Sequence, residues 1–264
     1  MADRSPVWRR FTPMQTALRL VGRLAAAAIL AWALSGLGVR WDFVADAPVQ
    51  VADLFGRMFL PEWGFAGAIV APLIQTINIA TLGTAVAVLL SIPVALLAAH
   101  TTTFNWATYA LGRVVIAVSR VVDSLIWALI FILVVGPGSL AGALAVSVRS
   151  IGFLSKLFAE GIEEIDRGPV EAVTATGAGR LAVLLYGIVP QIRPVFAGVC
   201  LYRWDINIRE STVLGIVGAG GIGFVLNTAI LGLEWSRVGL ILLVILGVVV
   251  ASEVLSATLR RRVM

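Results

Sequence analysis

The stretch that decides the fold is EGIEEIDRGPVEAVTATGAGRLAVLLYGIVP, Glu160–Pro190. It is a polar island of about thirty residues between long apolar runs, which marks it as a loop outside an otherwise lipid-soluble chain. Gly168-Pro169-Val170-Glu171 reads as a helix start. Proline is tolerated at a first helical position because its missing N–H would have no partner there, and an early glutamate favours the positive helix end. Gly177 and Gly179 are expected to end the helix by taking positive φ, at little steric cost without a Cβ. Between them lies a knuckle of about two turns, too short to persist unless packing holds it. Its small, weakly charged side chains suit insertion into a groove on another protein.

The spacing of Glu171-Ala172, Gly177 and Val189-Pro190 resembles the EAA loop of permease subunits of bacterial ABC importers. In that family the loop forms a cytoplasmic coupling helix that docks on the ATP-hydrolysing subunit. Val173 stands where a second alanine is usual, and Gly187 where isoleucine is usual, with Ile188 one place later. Downstream, Leu201-Tyr202-Arg203-Trp204-Asp205-Ile206-Asn207-Ile208-Arg209-Glu210-Ser211 and Gly218-Ala219-Gly220-Gly221-Ile222-Gly223 are similar to the phosphonate importer permeases in particular. The likeness runs from about Thr76 onward and is strongest between Glu160 and Gly223. It implies an all-α polytopic protein of about six transmembrane helices, multi-pass in the bacterial cytoplasmic membrane. It also implies coupling through Glu171, Ala172, Thr174 and Gly177 to a pair of ATPase subunits. ATP and Mg2+ would bind those partners, with no cofactor on this chain. A periplasmic or lipid-anchored solute-binding protein would deliver a phosphonate-like anion (phosphonate, phosphite or phosphate), and a second permease copy or paralogue would complete the pathway.

Composition alone points to the membrane. Of 264 residues 59% are hydrophobic, and the mean hydropathy is +0.98, far beyond a soluble domain. The length fits one domain of five to seven spans. A net charge of +5 does not mean nucleic acid here, because the arginines flank apolar runs as membrane topology demands. A single cysteine, Cys200, excludes an internal disulfide and a cysteine-rich metal site.

Residues 1–16 form a basic segment with Arg4, Arg9 and Arg10, expected to lie in the cytoplasm, and 17–264 are expected to form one transmembrane domain. Spans are expected at about 17–38, 72–99, 113–135, 140–158, 194–217 and 238–257, separated by an outer interfacial loop at 40–65, a turn at Gly136-Pro137-Gly138 and the cytoplasmic loop at about 160–190. Arg260-Arg261-Arg262 follows the last span. Six spans put both termini and the coupling loop on the basic, cytoplasmic side.

The chain holds no phosphate-cradling GxxxxGK[ST], and its one lysine, Lys156, follows no such glycine loop. Gly218–Gly223 spells GxGxxG but lacks the βαβ setting of a dinucleotide site. Gly218, Gly220, Gly221 and Gly223 are better read as an outer gate or bend, or as seats for close helix contact. His100 lacks convergent partners for metal binding or catalysis, and no nucleophile–base pair is visible, so this chain reads as a transporter component and not an enzyme. The alternative is an ion-gradient-driven secondary transporter, whose broken mid-membrane helices the fifth span could imitate.

That span carries Arg203, Asp205, Asn207, Arg209 and Glu210. Charges inside hydrocarbon cost about 2.5–3.5 kcal/mol each on insertion scales, so these must face protein or a wet cavity. At helical spacing Arg203, Asn207 and Glu210 share one face, and Asp205 and Arg209 another. Two readings stand: an internal salt-bridge network that extends to Arg120 and Asp123, or a cationic lining in which Arg203, Asn207, Arg209 and Glu210 meet the anion.

Overall fold

The computed structural model describes residue 11 and residues 13–263; most of the basic segment expected at 1–16 therefore lies outside the described residues. Every regular element among the described residues is helical. The chain divides into two compact units between Phe55 and Gly56. The first carries α1 (Pro13–Gly36) and most of α2 (Trp41–Met58). α1 is apolar and long enough to cross a membrane. The region expected as an interfacial loop is helical instead. Asp42 in the first turn and Arg57 in the last complement the helix dipole, and Pro48 is accommodated inside it.

The second unit begins with a 3-10 turn (Trp63–Phe65) and α3 (Ala66–Ala98), a helix of 33 residues and about 50 Å at 1.5 Å per residue. α4 (Trp106–Val121) opens with a reciprocal cap in which Asn105 accepts from the Thr108 N–H and Thr108 from the Asn105 N–H. The third span, expected unbroken, is bent by 92°: α4 stops at Val121 and α5 (Ser124–Val135) restarts with Asp123 as its cap. Hydropathy could not reveal the break, because both pieces are apolar and only Asp123 marks the restart. α6 (Ser139–Glu163) follows the Gly136-Pro137-Gly138 turn. Then come α7 (Arg167–Ala175), the single turn α8 (Arg180–Ala182) and a π-helical segment (Val183–Ile188) that feeds α9 (Val189–Ile216). A short helix, α10 (Ile222–Leu231), lies between the spans expected at about 194–217 and 238–257, and α11 (Trp235–Val263) ends the described chain. Five helices are long and apolar enough to cross a membrane, six if α4 and α5 count as one span.

α6 is the centre of this unit. Its buried face is built from small residues, including Ala141, Gly142, Ala145, Ser147, Ser150, Gly152 and Ser155. In lipid, where no hydrophobic force drives helices together, small residues let backbones approach and hydroxyls tie them. A Cβ on Gly83 of α3 would collide with Val146, and one on Gly152 with Ser119 and the Ile116 carbonyl of α4. Ser147 donates to the Gly83 carbonyl at 3.1 Å and Ser155 to that of Ser91 at 3.2 Å, while Ser119 donates back to Val148 of α6. Near α7, Phe158 stacks on Phe196 of α9 at 4.2 Å, inside a cluster with Leu154, Ile162 and Ile188.

These contacts set different costs for one methyl group. Gly223 lies where a Cβ would overlap the Thr212 carbonyl and the Gly215 backbone, whereas a Cβ on Gly161 would meet only Val195 at an ordinary 3.5 Å. We expect Gly223→Ala to lower the melting temperature of the detergent-solubilised protein by several degrees and Gly161→Ala to leave it within a degree or two. A thermal melt followed by size-exclusion chromatography checks both.

Candidate functional site

Three constellations matter, and the first is the knuckle. α7 starts two residues earlier than the sequence suggests. Asp166 is the cap, its carboxylate accepting from the Gly168 N–H at 3.0 Å, so Pro169 sits third in the helix and not first. Val170 and Val173 are half-buried, while Glu171, Ala172, Thr174 and Ala175 form an exposed face. Gly177 takes φ +78° as expected, with open space around it, so conformation and not crowding requires glycine there. Gly179 does not share that role; its φ is −68° and it leads into α8. The departure at Gly187 has a packing cause: a Cβ there would press within 3.2 Å of the Val170 Cα, so α7 lies directly on the π-helical segment.

The second is the polar cluster of α9, which the structure resolves into two parts. In the inner part Arg203, only 4% exposed, donates through Nε to Ser150 Oγ at 2.9 Å and through Nη2 to Glu210 at 3.2 and 3.3 Å. Asn207, fully buried, donates to Thr84 Oγ1 at 2.7 Å and exchanges hydrogen bonds with Ser150. Arg203 and Asn207 thus lie inside the helix packing and not on a lining surface, the site half of the sequence expectation placed them on. Arg149 of α6 extends the network: its guanidinium lies 3.7 Å from Glu210 and 3.2 Å from Asp123, and reaches the Val122 carbonyl at 3.4 Å. It therefore ties the break between α4 and α5 to α9. Asp123 joins the cluster and Arg120, exposed, does not. In the outer part Arg209, 45% exposed, pairs with buried Asp205, whose second oxygen accepts from Ser252 of α11 at 2.7 Å. Of the α9 residues in the cluster, Arg209 and Glu210, 21% exposed, reach an open surface, as Asp123 and Arg149 do beside them.

The third is the glycine-rich link. Gly218, Gly220 and Gly221 all take positive φ, and no strand precedes them; they join helix α9 to helix α10. Gln75 accepts from the Gly221 N–H at 2.9 Å and Thr76 from that of Ile222 at 2.8 Å, while the Gly218 carbonyl accepts from Gly138 at 3.0 Å. The link is a tight, hydrogen-bonded bend against α3 and the Gly136-Pro137-Gly138 turn. Gly223 lies past it, seated inside α10 against α9.

The family of inner membrane components of binding-protein-dependent transport systems matches residues 91–264. The chain belongs to that family. It is 42% identical over 212 residues to the phosphite transport system permease protein PtxC of Stutzerimonas stutzeri, covering 80% of this chain and 77% of that one. To the phosphate-import permease protein PhnE of Mycolicibacterium smegmatis it is 41% identical over 89% of its length, spanning 44% of that longer protein. Among solved structures, a chain of the MetNI methionine ABC transporter shares the fold, with a TM-score of 0.68 at 18% identity over 77% of this chain and 99% of that one. This is a permease subunit of an ABC importer, a multi-pass inner membrane protein whose relatives are transport permeases and not enzymes; the ion-gradient alternative falls away.

Within this permease, sequence reasoning missed four side chains that hold the constellations together. Asp166 and Gln191 fix the N-terminal end of the knuckle, Ser150 is the hub between Arg203 and Asn207, and Arg149 braces the bent span. The signal available was a polar residue on an otherwise apolar or small-residue face, as at Ser150 and Arg149 of α6. The hub makes a firm prediction. Asn207→Leu removes the amide that satisfies Thr84 and Ser150, and leaving buried partners unpaired costs about 1–3 kcal/mol. The yield of folded permease should fall clearly, and a variant that solubilises and melts like the wild type would show that the hub carries no stability.

Proposed function

We propose that this permease moves a phosphorus oxyanion (phosphonate, phosphite or phosphate) inward across the cytoplasmic membrane. The observation that carries the reading is the 42% identity over 80% of the chain to a phosphite permease, supported by the similar phosphate-import protein. ATP and Mg2+ bind a pair of partner ATPase subunits, a solute-binding protein delivers the anion, and a second permease copy or paralogue completes the pathway. Both termini and the Glu160–Arg180 region face the cytoplasm, in keeping with the arginines at each end of the chain. The exposed face of α7, with Glu171, Ala172 and Thr174, docks on the ATPase, and Gly177 sets the turn that presents it. ATPase closure then moves α7, and α9 with it, to alternate access. The Gly218–Gly221 bend and Gly223 stand at the outer end of the pathway.

In this reading Arg209 meets the anion, because it is the most exposed cation of the α9 cluster, and Glu210 beside it limits how tightly an anion is held. Arg203 and Asn207 support that face from inside. The test is ATP-dependent uptake into proteoliposomes that contain the permease, its ATPase and its binding protein. Saturable uptake of at least one of phosphonate, phosphite and phosphate, with none of methionine, is expected. An intact, ATP-hydrolysing complex that takes up none of the three would overturn the substrate class. Arg209→Gln should lower uptake at least several-fold at near wild-type yield, since Ser252 still holds Asp205, and Arg209→Lys should keep part of the activity as a point charge. If uptake and yield fall together in both variants, Arg209 is structural.

A further inference from the structure

We propose that Gln191 is a positioning residue that locks the coupling helix to α9, so that movement of α7 is transmitted and not absorbed. The proposal rests on the reading of α7 as the segment that docks on the ATPase. Gln191 lies two residues into α9, where the chain leaves the π-helical segment. Its amide makes three hydrogen bonds that converge from two directions. Oε1 accepts from the backbone N–H of Asp166 at 3.1 Å, Nε2 donates to the Asp166 carbonyl at 3.1 Å, and Nε2 donates again to the Gly187 carbonyl at 2.7 Å. Both amide protons are thus engaged, and the flipped amide would set its oxygen against two carbonyls. One side chain therefore grips both backbone groups of the residue that caps α7 and, at the same time, the segment on which α7 packs.

Three further features point the same way. Asp166 is held by its backbone while its carboxylate is free to cap α7 through Gly168. A Cβ on Gly187 would meet Val170 of α7 at 3.2 Å, so the two segments are in backbone-close register where Gln191 binds. Finally, the junction is π-helical, closed by a Val189 N–H to Leu184 carbonyl bond, and Pro190 contributes no N–H to it. A wider turn followed by a proline is a place where a helix yields under load, and π-turns recur at functional positions. Without a clamp, a push on α7 would be spent deforming Val183–Val189. With Gln191 in place, the cap of α7, the π-helical segment and the start of α9 move as one piece.

The experiment compares Gln191→Met, which keeps length and volume but makes none of the three bonds, with Gln191→Glu, which can accept from Asp166 N–H but cannot donate to either carbonyl. Asp166→Asn is the control, because an asparagine still caps α7 and Gln191 grips only the backbone of that residue. Each is assembled with the ATPase and binding protein in proteoliposomes, and the readout is anion taken up per ATP hydrolysed. The wild-type ratio is measured first; if wild type takes up no phosphorus oxyanion with ATP, the transport reading itself has failed before Gln191 is tested. Given a working wild type, Gln191→Met and Gln191→Glu should assemble at normal yield, hydrolyse ATP and lose at least threefold in the ratio, while Asp166→Asn stays within a factor of about two. An unchanged ratio in Gln191→Met overturns the proposal. So does a proportional fall of yield, hydrolysis and uptake, which would mark Gln191 as a fold residue only.

Discussion

Inside hydrocarbon, a buried polar group has only the protein to satisfy it, and that constraint shapes this chain around α6. Ser150 on that helix serves Arg203 and Asn207 of α9 at once, and Asn207 passes the network to Thr84 of α3. Three helices are thereby fixed in rotation and register by groups that have no alternative partner in lipid. The small residues of the same face make this reachable. Gly83, Gly142 and Gly152 bring neighbouring backbones so near that a Cβ would collide, which puts short hydroxyl side chains within reach of carbonyls on the next helix. Packing and hydrogen bonding are one arrangement here.

The same logic explains where the chain departs from straight spans. The third span can bend by 92° because the polar groups freed at the break are met: Asp123 caps α5, and Arg149 reaches both the Asp123 carboxylate and the Val122 carbonyl. The glycine-rich link turns sharply with its N–H groups held by Gln75 and Thr76. Bends in α4–α5 and at Gly218–Gly221 are thus anchored to the rigid α3–α6–α9 core. The end that carries α7 is built differently. α7 keeps one face exposed and packs with the other on the π-helical segment that leads into α9.

Much of this was legible in the sequence. The polar island at Glu160–Pro190, the helix that begins within it and the positive φ of Gly177 follow from breaker residues and periodicity, and the family followed from their spacing. The long spans followed from hydropathy. The helix around Pro48, the break at Val122–Asp123 and the short α10 did not, because tertiary partners and caps decide them and apolar composition does not distinguish them. At the site, helical spacing paired Arg203 with Glu210 and Arg209 with Asp205 correctly. It could not say which pair lies inside, since that depends on Ser150 and Thr84, more than fifty residues away. The cap at Asp166 was missed because the helix start was read at Pro169, and the geometry that gives Gln191 its role is non-local.

The central claim is that the inner cluster is an internal brace and not a wet lining. A double-mutant cycle on Arg203 and Glu210 tests it most directly, with Arg203→Met, Glu210→Met and the pair compared by thermal melting of the solubilised permease. If the brace is internal, Glu210→Met strands a buried guanidinium, and removing one partner of such a pair costs about 3–5 kcal/mol. The double variant should then melt above Glu210→Met, with the two changes far from additive. Simple additivity, with each substitution mild, would mean that water already solvates both groups and would contradict the account.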